Sequence, residues 1–363
     1  MIITKLELSN FRNYGFSEFE FDENTNILYG DNAQGKTNVL EAIYVAGTTK
    51  SHKSSKDKEM IQMGFSEAHI KMYMTKKEIS HRIDIHLKKS GAKGVAIDGV
   101  TTRKSSDLIG LCNIIFFSPE DLNIIKNGPA ERRRFINMEL CQLDKMYLYY
   151  LTKYNKILNQ RNNLLKQISF DEKLLDTLEI WDIQLIENGK KIISIRKEFV
   201  QKLDKIMKKV HHKLTGGKEE ISIFYEPNVE ETYLEEKLFL SRDKDLFQGT
   251  TCVGPHRDDI SFIVNEIDIR KYGSQGQQRT TALSLKLAEI EIVKEVIGET
   301  PVLLLDDVLS ELDRKRQNYL LESIQGIQTI ITCTGLEEFI ENKININKTF
   351  EIINGTQNGG YHE

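Results

Sequence analysis

What this 363-residue sequence lacks narrows its class before any motif is read. No apolar run approaches the roughly 18 residues that a membrane-spanning helix needs, so no membrane partner is expected. Only 5 prolines, no low-complexity tract and no internal repeat argue against long disordered linkers or a solenoid. The four cysteines, Cys112, Cys141, Cys252 and Cys333, lie far apart and form no CxxC pair. That pattern fits a reduced cytosolic protein with buried thiols and argues against a zinc site. The opening Met1-Ile2-Ile3-Thr4-Lys5-Leu6-Glu7 alternates like a strand and lacks the architecture of a signal peptide. There is also no excess of positive charge. With 50 basic and 54 acidic side chains the net charge is −4, so only local patches could attract nucleic acid. What remains, 29% charged and 39% hydrophobic, is a soluble globular chain long enough for two or three domains.

The most informative stretch present is Gly30-Asp31-Asn32-Ala33-Gln34-Gly35-Lys36-Thr37. It fits the phosphate-binding loop pattern, GxxxxGK[ST]. Ile27-Leu28-Tyr29 before it is of strand type, and residues 39–46 after it read as a helix. The glycines let the backbone fold around an anion while the helix N-terminus points free N–H groups at it. In this pattern Lys36 reaches the β- and γ-phosphates of ATP and the Thr37 hydroxyl ligates Mg²⁺.

Around the loop, the first ~125 residues are sheet-rich. Residues 2–8 and 16–21 alternate and are expected to pair; further strands are expected at 69–74, 80–87, 95–97 and 111–117, with a hairpin turn at Asp98-Gly99. The turn at residues 9–15 carries Arg12 and two aromatics, and two readings stand: a nucleotide contact or a well-packed turn. The basic loop from Lys50 to Lys58, with His52, Lys53 and Lys56, is either solvated or a contact for DNA phosphates.

At Pro129 the character changes. Apolar residues recur every three or four positions from Glu131 to Ile168 and again from Leu174 to Val210, a rise of roughly 50 Å in each run. Two long helices joined by a short turn make an antiparallel hairpin, with Gly189 as the weak spot of the second. Arg132, Arg133 and Arg134 open it, and the second run is rich in lysine; solvated face and phosphate contact are both open readings.

Strand character returns at Ile221, and residues 262–269 alternate. Gly273-Ser274-Gln275-Gly276-Gln277-Gln278-Arg279-Thr280 precedes a helix expected over 282–297. Val302-Leu303-Leu304-Leu305-Asp306-Asp307 has the form of a Walker B strand. Asp306 is placed to hold Mg²⁺, and Asp307 to orient or deprotonate the attacking water. Roughly 270 residues separate Lys36 from Asp306, with the hairpin in the gap. The nucleotide domain therefore reads as split, residues 1–125 and 250–363 forming a head and 126–249 an inserted helical arm.

Ser274-Gln275-Gly276-Gln277-Gln278 resembles the signature motif of ABC-type ATPases, and Ser310-Glu311-Leu312-Asp313 their D-loop. Within that superfamily three further stretches are similar to the SMC and RecF branch: Leu8-Ser9-Asn10-Phe11-Arg12-Asn13-Tyr14, Phe117-Ser118-Pro119-Glu120-Asp121-Leu122 and Gly254-Pro255-His256-Arg257-Asp258-Asp259. Together with the segment 304–313 they resemble the RecF family from the first strand to the last, and the arm of about 120 residues is far shorter than an SMC coiled coil. The resemblance implies an α/β fold, an ABC-type, SMC-like P-loop ATPase head split by a helical hairpin arm. It also implies a head-to-tail ATP-dependent homodimer in which Ser274, Gly276 and Gln277 of one copy cap ATP held by the other's P-loop, with Arg12 also at the nucleotide. Such a dimer would bind duplex, gapped and single-stranded DNA. It would act in the cytoplasm with RecO and RecR to load recombinase, and support replication restart and the SOS response.

The resemblance implies a DNA-stimulated ATPase, and departures from the superfamily pattern point to slow hydrolysis that acts as a timing switch. Thr332 or Cys333 stands where many ABC ATPases have a histidine. Asp307 replaces the usual Glu, no clear Q-loop glutamine exists, and Lys53 lacks the bidentate fork of the arginine in the family's basic loop. The role of residues 254–259 stays open. Two competing readings are a P-loop kinase-like enzyme whose hairpin is a lid, and an SMC-like structural tether.

Overall fold

Alternation with period two puts one face of a strand in the core and the other in water. The computed structural model, which describes residues 1–53, 56–168, 170–336 and 346–360, follows that rule from the start. β1 (Ile2–Phe11) pairs antiparallel with β2 (Tyr14–Glu20), as their patterns predict. β3 (Thr25–Tyr29) runs through the phosphate loop into α1 (Lys36–Thr48). β4 (Glu67–Lys76), β5 (Ile79–Lys88), β6 (Gly94–Ile97) and β7 (Val100–Thr101) complete an antiparallel sheet of order β2-β1-β4-β5-β6-β7. In β4, Ala68, Ile70, Met72 and Met74 are buried, while Glu67, His69 and Lys71 face solvent. β8 (Ile114–Phe117) is shorter than the apolar run from Leu111 predicts, because Leu111 N closes a turn on Leu108 O (3.1 Å).

The helical periodicity becomes α2 (Leu122–Lys126), α3 (Pro129–Leu143), α4 (Lys145–Ile168) and α5 (Leu178–Thr215). The first predicted run is thus two helices, broken at Asp144, whose backbone turns extended (φ −135°, ψ 110°). Its carboxylate accepts from Met146 N (2.7 Å), so the residue starts α4 rather than continuing α3. α4 and α5 pair as the expected hairpin. Gly189 does not interrupt α5: a Cβ there would lie 2.9 Å from Leu234 Cδ2 and 3.3 Å from Tyr154 Cε2, so the glycine is a notch for close packing.

Beyond the hairpin follow β9 (Ile221–Glu226), α6 (Leu234–Leu240), α7 (Arg242–Gln248), β10 (Asp259–Val264), β11 (Ile267–Asp268), α8 (Ile269–Tyr272) and α9 (Gln275–Ile297). The alternation at 262–269 reads as one strand, but Asn265 and Glu266 take positive φ and fold it into the β10–β11 hairpin beside β9. α9 starts seven residues before the predicted Ala282 and takes in most of the signature segment.

β12 (Val302–Asp306), α10 (Arg314–Ser323), β13 (Thr329–Cys333), β14 (Lys348–Ile353) and β15 (Thr356–Gly360) complete the chain. The second sheet has the order β15-β14-β3-β13-β12-β8, parallel throughout except for β15 at the edge. Val302 to Leu305 are fully buried, as expected for a parallel strand covered on both faces. α1 joins one core with Leu6, Ile70 and Met72 of the antiparallel sheet and Leu304, Ile330 and Phe350 of the parallel one. A helix packed on several sides needs no polar face, which explains the apolar and small residues of 39–46, broken only by the buried Glu41.

The chain divides into two compact units, Met1–Asp121 with Glu289–Glu363, and Leu122–Ala288. Residues 250–288, which the sequence places with the head, group with the helical unit in this division.

Candidate functional site

The phosphate loop is held open by its neighbours. Gly30 (φ 140°) passes so close to β14 that a Cβ would lie 2.5 Å from Ile352 O. Gln34 O accepts from Asn13 Nδ2 (2.9 Å) and Gly355 N (3.0 Å), and Gln34 Oε1 accepts from Asn354 N (2.6 Å). Tyr14 Oη donates to Gly35 O (3.1 Å), and Asn13 Oδ1 accepts from Asn38 Nδ2 (2.8 Å). The β1–β2 turn and the β14–β15 turn thus grip the loop from two sides. Asp31, Asn32 and Ala33 are left exposed at its crest. α1 begins with no side-chain cap and no acid in its first turn; Asn38 N turns back on Gly35 O (2.9 Å), which leaves the N–H groups of Lys36 and Thr37 to face an anion. Lys36 Nζ lies against the carbonyls of Gly30 and Asp31, and burial lowers its pKa.

Asp306, at the carboxyl end of β12, reaches the same loop. Its Oδ1 accepts from Thr37 Oγ1 (2.8 Å) and from Thr332 Oγ1 (2.8 Å). Thr332 also accepts from Asp307 N (3.1 Å), and Asp307 sits exposed in the left-handed region (φ 53°). Strand order explains the meeting: β13 lies between β3 and β12, in register Asp306↔Thr332. The Thr37 hydroxyl and the Asp306 carboxylate are hard oxygen donors in contact, a set that suits Mg²⁺.

Of the two readings of Arg12, a nucleotide contact or part of a packed turn, its partners fit the second: it grips α1. Its guanidinium binds Glu41 through Nε (2.8 Å) and Nη2 (2.6 Å) and donates to Glu59 O (2.7 Å). Burial pushes the Glu41 carboxyl up, but Arg12 and the Ser51 hydroxyl outweigh it and hold the group below the usual carboxylate range. Arg12 thereby fixes the turn that carries Asn13 and Tyr14. His52 packs at a tilt on Phe116 (4.1 Å between centroids) and meets Tyr44 edge-on, whereas Lys53 and Lys56 are exposed.

In the second compact unit the signature segment is a helix cap. Ser274 Oγ accepts from Gln277 N (3.2 Å) and Gln277 Oε1 accepts from Ser274 N (3.1 Å), a reciprocal capping box. Gln277 Nε2 also donates to Glu219 (3.1 Å). Ser274, Gln275 and Gly276 are exposed at the first turn of α9.

The three arginines at the start of α3 diverge. Arg132 is 1% exposed; it binds Asp259 through Nε (2.6 Å) and Nη2 (3.0 Å) and donates to the carbonyls of Ile124 and Asn127. It has no surface to offer a phosphate, which corrects its place among the DNA contacts. Arg133 is half-buried with Nη1 on Asp258 O (2.8 Å), and Arg134 is exposed. The segment 254–259 proves to be the anchor of this unit. Buried Arg196 reaches Asp258 (2.7 Å), Pro255 O (2.6 Å), Tyr147 Oη (3.0 Å) and Asn137 (2.8 Å). Tyr154 Oη lies 2.7 Å from His256 Nδ1, and His256 Nε2 lies 3.0 Å from Thr251 O. Gly254 (φ 134°) admits Tyr154, whose Oη would lie 2.4 Å from a Cβ. Arg161 is a second such centre, bound to Asp182 (2.6 Å), Asp245 (2.7 Å) and Thr251 (2.8 Å).

The family described as RecF/RecN/SMC N terminal domain matches residues 2–358. DNA replication and repair protein RecF of Lachnoclostridium phytofermentans is 60% identical over 360 residues, covering 99% of this chain and 100% of that one. Its counterpart from Agathobacter rectalis is 59% identical over 355 residues, 98% of each chain. A solved structure of the recombination mediator protein RecF-ATP in the RecFOR pathway superposes with a TM-score of 0.93 at 36% identity, covering 99% of this chain and 98% of that one. The Smc head domain of Pyrococcus furiosus shares the fold alone (TM-score 0.57, 17% identity, 98% and 95% covered). Agreement over the full length, on a fold that brings Lys36, Thr37 and Asp306 to one loop, makes this chain a member of the RecF family within the RecF/RecN/SMC ATPases.

Proposed function

We propose that this protein is an ATP-gated, DNA-binding dimer of recombinational repair, working in the cytoplasm in a RecFOR-type pathway. The observation that carries the reading is that the chain holds both a braced phosphate loop and an exposed signature cap. Lys36 and the N-terminus of α1 bind the phosphates of ATP. Thr37 and Asp306 hold Mg²⁺, whose charge offsets that of the phosphates, and Asp307 positions the attacking water. Ser274 and Gly276 of a second copy, at a helix N-terminus, supply the donors that close the site over the γ-phosphate. ATP binding thus favours the dimer, and slow, DNA-stimulated hydrolysis releases it. The dimer binds duplex, gapped and single-stranded DNA through phosphate contacts and cooperates with RecR- and RecO-type mediators.

The experiment is duplex DNA binding with and without ATP, in the wild type and in Lys36→Ala. ATP should tighten binding in the wild type and leave Lys36→Ala unaffected. Equal DNA affinity of the wild type with and without ATP would overturn the reading.

A further inference from the structure

The solvent face of the antiparallel sheet carries a group of side chains that belongs to none of the sites above. On β4, Glu67 and His69 are two residues apart and share a face; on β5, His86 lies directly across from His69 in the antiparallel register. Cross-strand neighbours on one face sit about 5 Å apart at Cβ. The two imidazoles accordingly lie 4.2 Å apart between centroids, and His86 Nε2 is 2.8 Å from Glu67 Oε2. One ligand atom from each of the three residues falls within 4.8 Å of the other two. We propose that Glu67, His69 and His86 bind one divalent transition-metal ion, with Zn²⁺ the best match.

Two imidazoles and one carboxylate form a donor set of borderline softness, which favours Zn²⁺ over Mg²⁺ or Ca²⁺. Glu67 and His69 are exposed, so the carboxylate and the His69 ring can turn toward a shared point without disturbing the core. Paired strands fix the three Cα positions, and exposure leaves a fourth coordination position to water. Lys71 and Lys88 share this face and oppose a cation; Lys71 is drawn toward Glu7 (3.6 Å). The cysteine pattern argues against a thiolate zinc site, and this site uses no cysteine.

The test is calorimetric titration of tag-free, nucleotide-free full-length protein with Zn²⁺ in excess Mg²⁺. It is repeated on His69→Ala, His86→Ala and the double variant, together with absorption spectra of the Co²⁺-loaded protein. One tight Zn²⁺ site per chain is expected, weakened at least tenfold by either single change. The Co²⁺ spectrum should lack a thiolate charge-transfer band, and ATP binding should be unaltered in the variants. Equal Zn²⁺ affinity in the wild type and the double variant would overturn the proposal. So would a thiolate band from the partly exposed Cys252 or Cys333.

Discussion

Thr37 and Asp306, one at each end of the nucleotide unit's sequence, meet in a single hydrogen bond of 2.8 Å. The carboxylate oxygen that accepts it also accepts from Thr332, on the strand between them. Thr332 then receives the Asp307 N–H, so one hydroxyl sets both acids of the Walker B pair.

Replacing Thr332 by Val keeps the shape and removes that hydroxyl. A lost hydrogen bond to a charged group is worth about 1.5–3 kcal/mol, so kcat for ATP should fall by about 10- to 100-fold. The KM for ATP should change little, because Lys36 and the α1 N-terminus are untouched. Thr332→Ser should restore most of the rate. Steady-state ATPase kinetics on the three proteins check this, and a wild-type kcat in Thr332→Val would show that the hydroxyl does not position the acids.

Acid should loosen the helical unit through His256. Burial pushes its pKa down to about 4, against about 6.5 for an unfolded histidine. A base with a depressed native pKa contributes stability that is complete above the unfolded value and lost as pH falls toward the native one. Between pH 7.5 and 5 the loss is about 2 kcal/mol. Urea unfolding at both pH values, in the wild type and His256→Gln, isolates this contribution. The variant is less stable at pH 7.5, having lost the Tyr154 contact, and its decline toward pH 5 should be shallower. Parallel declines would show that His256 does not carry the acid sensitivity.

DNA affinity should fall steeply with salt and show slight sequence preference. Neutralising Lys53, Lys56 and Arg134 together should weaken binding to every sequence alike and flatten the log–log salt slope by about 3 × 0.9. Arg132→Ala is expected to behave differently. Stripping a buried partner from Asp259 typically costs about 3–5 kcal/mol, so its effect belongs in thermal stability. Filter-binding isotherms across salt concentrations, beside melting curves, separate the two; a flat response of affinity to the triple change would place DNA on another face.

The phosphate loop, the Walker B strand and the helical hairpin were legible because each is written in adjacent residues. Less so was what depends on residues far apart. Asp144 belongs to an unbroken helical pattern, yet its short carboxylate caps α4. Arg132, Arg133 and Arg134 look alike in sequence; only Asp259, more than a hundred residues on, makes the first a buried tie. Nothing in the sequence decides between a nucleotide contact and a packed turn for Arg12; its Nε and Nη2 bind Glu41 on α1 and its Nη1 binds Glu59 O. The second wall of the P-loop, Asn354 and Gly355, had no signal beyond an ordinary Asn-Gly turn. Residues 337–345, between β13 and β14, lie outside the described residues.

Sedimentation velocity shows whether ATP assembles two copies of the chain through Ser274. The wild type should move from monomer to dimer on adding ATP. Ser274→Arg, altered at an exposed cap far in sequence from the phosphate loop, should bind ATP with wild-type affinity yet remain a monomer. A Ser274→Arg protein that still dimerises with ATP would contradict the account.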